Sequence, residues 1–138
     1  MVRWTRVVGA VLSLVGGAAH LWLYRQGYRD VPNANLGRSF LAHAAASGFV
    51  AGLLVLAIGP LWRKLSAFAG IGLAIGGLAA IAISRTSRGL FGFTEHGLQP
   101  APEGLIVVAA EIGMIIALVA SIVFEWRQQS PRHTGIDH

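Results

Sequence analysis

Apolar residues run along this chain in four long blocks, residues 7–24, 40–58, 65–83 and 104–124, separated by polar segments. Each block approaches the ~20 residues that cross a hydrocarbon core at about 1.5 Å of rise per residue. The expected fold is all-α: an integral membrane four-helix bundle with antiparallel up-down topology. Residues 1–126 make up the transmembrane domain in this reading, and residues 127–138 a polar disordered tail. Gly59-Pro60 stops the second block. The turn carrying Arg63-Lys64 is so short that the second and third helices must be antiparallel neighbours. The first block also has the length of a secretory signal, with Gly17-Ala18-Ala19 as a small-residue cleavage site, but it stays apolar through Tyr24.

The two longer links, 25–39 and 84–103, are polar and rich in Gly, Pro and Asn. Four crossings put them on one side, with both termini and the short turn on the other. Arg3, Arg6, Arg63, Lys64, Arg127 and Arg132 lie on the terminal side, against Arg25, Arg29, Arg38, Arg85 and Arg88 on the other. That narrow positive excess points to termini in the cytoplasm of a multi-pass protein. Trp4, Trp22, Tyr24, Trp62 and Trp126 fall near block ends, where amphipathic rings anchor at the interface.

Composition strengthens the membrane assignment. The chain is 54% hydrophobic and 12% charged, against about 25% charged in soluble domains. No cysteine is present, which excludes disulfides, thiolate catalysis and cysteine-ligated metals. The net charge of +5 sits almost wholly between the apolar blocks, beside lipid head groups. The lipid bilayer is therefore the expected partner rather than nucleic acid, with a homo-oligomer or a larger membrane complex as the assembly. Eighteen glycines contribute to four-residue stripes of small side chains that allow close helix approach. These are Gly9, Ser13 and Gly17; Ala44, Gly48 and Gly52; Gly72 and Gly76; and Ala109, Gly113, Ala117 and Ser121.

Ionisable residues within apolar blocks are costly and commonly face a bundle interior. His20, His43 and Glu111 are of this kind, the second long link adds Glu95 and His96, and Glu103 caps the fourth helix. All six belong to the same leaflet. His20, His43, His96 and Glu111 have the donor chemistry for a transition metal, and His20 with His43 could hold a haem. A proton path centred on Glu111 is the other use of these groups. The structural reading is equally specific: both histidines bond a carbonyl or water at the interface, Glu111 pairs with Arg85, Arg88 or His20, and Glu95 and His96 are solvated.

Arg85 and Arg88, among Ser84, Thr86 and Ser87, form a turn suited to a lipid head group or another anion. The Gly-rich aromatic segment 89–93 is expected to fold back onto the bundle or into the interface. His133 and His138 have no metal-motif spacing, and no phosphate loop, nucleophile elbow or two-histidine zinc helix is present. No catalytic residue is expected and no cofactor is required.

Short motifs carry one resemblance. They are His20-Leu21-Trp22-Leu23-Tyr24, Gly27-Tyr28-Arg29 and Val31-Pro32, then residues 87–95 (Ser-Arg-Gly-Leu-Phe-Gly-Phe-Thr-Glu), Gln99-Pro100 and Glu111. Together they resemble uncharacterised small four-span membrane proteins of actinobacteria. The resemblance implies a bacterial plasma membrane and a four-helix topology, and brings no activity. It matches His20, Arg88, Glu95 and Glu111 to the group's pattern and leaves His43 outside it. The function expected from the sequence is a small noncatalytic membrane protein, a packing or accessory subunit. Its alternatives are a metal or haem binder using the His/Glu cluster and a proton-coupled or ion-conducting protein.

Overall fold

The computed structural model describes residues 2–97 and 100–129. Among them the chain forms four helices: α1 Val2–Leu23, α2 Ala34–Leu56, α3 Pro60–Ser84 and α4 Glu103–Gln129. All four are long and apolar enough to cross a membrane, and they pack against one another as an all-α bundle. α4 continues to Gln129, so residues 127–129 of the expected tail are helical. The rest of that tail, 130–138, lies outside the described residues, as do His133 and His138.

The first long link is shorter than the apolar pattern implies. α1 runs on into a wide turn, Tyr24–Tyr28, and Arg29 N donates to Tyr24 O across an i to i+5 span of 3.2 Å. Gly27 leaves this turn at φ 143°, a conformation side-chain-bearing residues rarely adopt. α2 then starts at Ala34, because the Asn33 side chain accepts from Asn35 N at 3.0 Å and caps the first turn. At the other end Gly59, at φ 83°, reverses the chain and Pro60 opens α3, where its missing N–H costs nothing.

α1 packs most extensively against α4 and α2, α3 packs on α4, and α2 and α3 touch least among sequential neighbours. Leu118 of α4 is the central knob. A Cβ at Gly9 would lie 2.7 Å from one of its methyl carbons, and a Cβ at Gly70 2.5 Å from the other. Around it pack Ala10, Val50, Leu54, Ala74 and Met114, all buried. α1 and α2 close on each other where a Cβ at Gly17 would stand 2.7 Å from the Cβ of Ser47. Ser13 Oγ donates to Ser47 O at 3.0 Å across the same seam.

The seams of α2 and α3 differ from the expected stripes. A Cβ at Gly48, Gly52, Gly72 or Gly76 would meet nothing within 4 Å. The buried faces use Ser47 and Ala51 on α2, and Gly70, Ala74 and Gly77 on α3. Each helix carries small residues on two faces. The faces chosen are those that also bury Val50 and Leu54, receive Leu118 and make room for Glu111.

Candidate functional site

His20 is buried near the end of α1, with Nδ1 2.8 Å from Gly16 O one turn back. A carbonyl only accepts, so this hydrogen bond puts the proton on Nδ1 and leaves Nε2 with a free lone pair. The ring stacks on that of His43 from α2, with centroids 4.0 Å apart and planes at 20°. His43 Nε2 lies 3.3 Å from Glu111 Oε1 of α4, without the alignment of a hydrogen bond. Donor atoms of His20, His43 and Glu111 all fall within 4.8 Å of one another.

Glu111 is 1% exposed, and neither carboxylate oxygen has a hydrogen-bond partner. The carboxylate fits because α3 presents Gly77 to it. A Cβ there would lie 2.6 Å from the carboxyl carbon. Three helices thus bring two imidazoles and one acid to a point, and a fourth supplies the missing side chain that gives the acid space. Glu111 has His43 as its neighbouring ionisable partner, rather than Arg85 or Arg88. His43 is therefore an inward group and does not sit at the interface bonded to a carbonyl or water.

Glu95, Arg85, Arg88 and His96 lie elsewhere. Glu95 accepts from the Tyr28 hydroxyl and stands 3.3 Å from Arg85 Nη1. Arg85 also donates to Gly97 O at 2.6 Å, to Ile81 O at 2.9 Å and to Ser84 Oγ at 2.6 Å. These contacts fasten the second link to α3 and to the wide turn after α1, so Glu95 is no solvated loop acid. Arg88 and His96 are exposed and are not part of the His20, His43 and Glu111 group.

The link does fold back onto the bundle. Asn33 Nδ2 donates to Phe91 O at 2.9 Å, and Leu90 and Phe93 exchange two backbone hydrogen bonds of 2.9 Å. Tyr28 stacks on Phe40 at 4.5 Å and meets the edge of Phe93 at 5.7 Å. Under this cover, between α2 and α3, lies a chamber of about 420 Å3. His20 and His43 contribute to its wall, and Tyr28, Arg85 and Glu95 close its link end.

A second group of ionisable residues lies at the terminal end, so buried ionisable side chains are not confined to the link end. Glu125 of α4 is buried, with Oε1 3.3 Å from Arg63 Nε of α3. Arg6 of α1 is also buried and donates to Leu54 O at 2.5 Å and Ala57 O at 3.4 Å, at the C-terminus of α2. In the sequence these residues look like flanking charges just outside the apolar blocks. The available signal was the spacing along α4: Glu111, Met114, Leu118, Ser121 and Glu125 follow each other by three or four residues and are all buried.

Compared with known protein families, curated proteins and solved structures, the chain matches none.

Proposed function

We propose that this integral membrane protein binds a divalent transition metal ion, of the zinc class, on His20, His43 and Glu111. The observation that carries the reading is the Glu111 carboxylate, buried without a hydrogen-bond donor beside two imidazoles. A buried carboxylate is strongly disfavoured unless paired with positive charge or coordinated. Two ligand atoms each ~2.1 Å from zinc in a tetrahedral shell stand ~3.4 Å apart. His43 Nε2 and Glu111 Oε1 are 3.3 Å apart. The His20 donor lies within 4.8 Å of the other two, and its ring must turn out of the stack with His43 to aim a lone pair at a shared ion. The Gly16 carbonyl supports His20 in the manner of an outer partner to a metal-binding imidazole. Three protein donors leave a fourth position for water or a ligand.

The other uses of the cluster are less well supported. Rings stacked at 4.0 Å leave no space for a porphyrin between His20 and His43. A transmembrane proton path from Glu111 would have to traverse the level of Leu54, Ala74 and Leu118, each no more than 1% exposed.

Zinc titration of the purified protein in nanodiscs should show one site per chain. Glu111→Gln keeps the shape but removes the anionic donor, and should weaken binding by about 100-fold or more, above the loss typical of outer-shell changes. His96→Ala and Arg88→Ala should leave affinity unchanged. A wild-type protein that takes up no zinc, cobalt or nickel would reject the assignment.

A further inference from the structure

The chamber between α2 and α3 has a chemistry of its own. At about 420 Å3 it is well above the ~150 Å3 apolar cavity that suffices for benzene. Its walls include the rings of Tyr28, Phe40, Phe91 and Phe93 and the aliphatic side chains of Leu36 and Leu73. Ser39 and Ser84 bond carbonyls of their own helices, and the other polar groups appear in two places. At the link end, the Tyr28 hydroxyl, Glu95 and Arg85 already bond one another and the backbone. In the wall stand His20 and His43, and the His43 side chain is 14% exposed. Such a site, mostly apolar with imidazoles in one wall, matches a largely apolar ligand with one hydrogen-bonding group.

The direction of entry narrows the ligand further. The link end is closed by the ties from Asn33 to Phe91, from Glu95 N to Ser84 O at 2.9 Å, and from Tyr28 and Arg85 to Glu95. The flank is open: Ala42 and Gly76, one on each wall, are exposed, and a Cβ at Gly76 would meet open space. That flank faces the hydrocarbon where α2 and α3 touch least. A phospholipid chain entering from the head-group level would have to displace the fastened link, whereas a compact lipophile dissolved in the bilayer enters sideways.

We infer that the chamber binds a planar lipophile of two or three fused rings bearing a hydroxyl or carbonyl oxygen. The rings lie among Phe40, Phe91 and Phe93, and the oxygen meets His43. Four aromatic side chains favour flat faces and edges over a flexible chain, because ring pairs gain from offset and edge-on contact. The inference does not rest on metal binding: Glu111 does not line the chamber, although His20 and His43 stand between the two sites.

Equilibrium binding of 1-naphthol, naphthalene and palmitate to the protein in detergent, read by naphthol fluorescence and competition, tests the assignment. Naphthol should bind saturably at one site per chain, and naphthalene about tenfold more weakly for want of the hydrogen bond. Gly76→Leu, which fills the chamber, should reduce naphthol binding by at least about tenfold while zinc binding persists. Glu111→Gln, which removes the metal donor, should leave naphthol binding intact. Ala42→Leu on the opposite wall gives the same reading should Gly76→Leu not fold. Equal naphthol uptake by wild type and the filled variants would overturn the proposal. So would displacement of naphthol by palmitate at lower concentration than naphthol itself requires, which would assign the chamber to acyl chains.

Discussion

At the terminal end of the bundle Glu125 stands 3.3 Å from Arg63, and Arg6 gives its guanidinium to the last carbonyls of α2. At the link end Glu111 meets two imidazoles and no hydrogen-bond donor. Both acids lie on the same buried stripe of α4, fourteen residues apart, or about 21 Å along the axis. Arg6 and His20 have the same spacing on α1, so each helix carries one ionisable group to each level. Two heptads return a helix nearly to the same face, which keeps both groups inward.

The surroundings of the two acids differ in charge. The terminal level holds two guanidinium groups against one carboxylate, and the negative end of the α2 dipole faces Arg6. Its opposite charges lie within the chain and tie four helices together, although Arg6 Nε, Arg63 Nε and Glu125 Oε1 are also buried without a hydrogen-bond partner. The link level holds a carboxylate with two imidazoles, one of them fixed with an unprotonated nitrogen. Among the described residues no Arg or Lys is paired with Glu111. Both levels keep buried atoms without a hydrogen bond, so the clusters differ in the sign of their charge: guanidinium groups are in excess at the terminal level, and a carboxylate stands among imidazoles at the link level.

Removing the acid separates the two levels most strongly at the terminal end. Glu125→Leu leaves Arg6 buried beside a second cation and should cost about 2–4 kcal/mol, near the range for breaking a buried pair. Arg63 is 38% exposed and can turn toward head groups, which keeps the loss below the extreme of that range. Reversible unfolding of the protein in mixed micelles measures it. Adding Arg63→Met to Glu125→Leu should recover part of the loss, since the two residues share one interaction.

Gly77→Ala is expected to have an intermediate effect. The added methyl would stand 2.6 Å from the Glu111 carboxyl carbon, so the carboxylate must move from its place beside His43. Overpacking of this kind costs about 1–3 kcal/mol, and zinc affinity should fall with it. The double variant Gly77→Ala, Glu111→Ala should regain most of the stability but none of the affinity. If Gly77→Ala binds zinc as wild type does, the carboxylate position is irrelevant to the site.

Much of this architecture was legible in the sequence, for identifiable reasons. Four apolar blocks near the span length specify four helices, and counting turns from a block end put His20, His43 and Glu111 at one depth. The helix termini were less visible, because Asn33 caps α2 well before its apolar block begins and the wide turn prolongs α1 into a polar segment. Which small-residue face is buried could not be read from α2 or α3, where glycines and alanines occur on more than one side. Arg6, Arg63 and Glu125 were hidden by position: a charge at a span end can reach water or turn inward, and spacing on its own helix decides only once the partners are known. The significance of His43 is hidden for a related reason, since it depends on Glu111 from a helix far along the chain.

The smallest expected change is also the most discriminating. Glu111→Leu in metal-free protein removes an acid that makes no hydrogen bond, and fills its space with an apolar side chain. Replacing a poorly compensated buried charge by a hydrophobic residue is often neutral or stabilising. We therefore expect stability within about 1 kcal/mol of wild type or above it, opposite to the effect of Glu125→Leu. Zinc should then reverse the order. At a hundred times its dissociation constant, a ligand specific to the folded state adds about 2.7 kcal/mol, and the wild type should gain this while Glu111→Leu gains none. Both variants can be followed by the same unfolding transition with and without zinc. If Glu111→Leu destabilises the metal-free protein as much as Glu125→Leu does, Glu111 is already compensated within the chain, and the contrast between the two levels disappears.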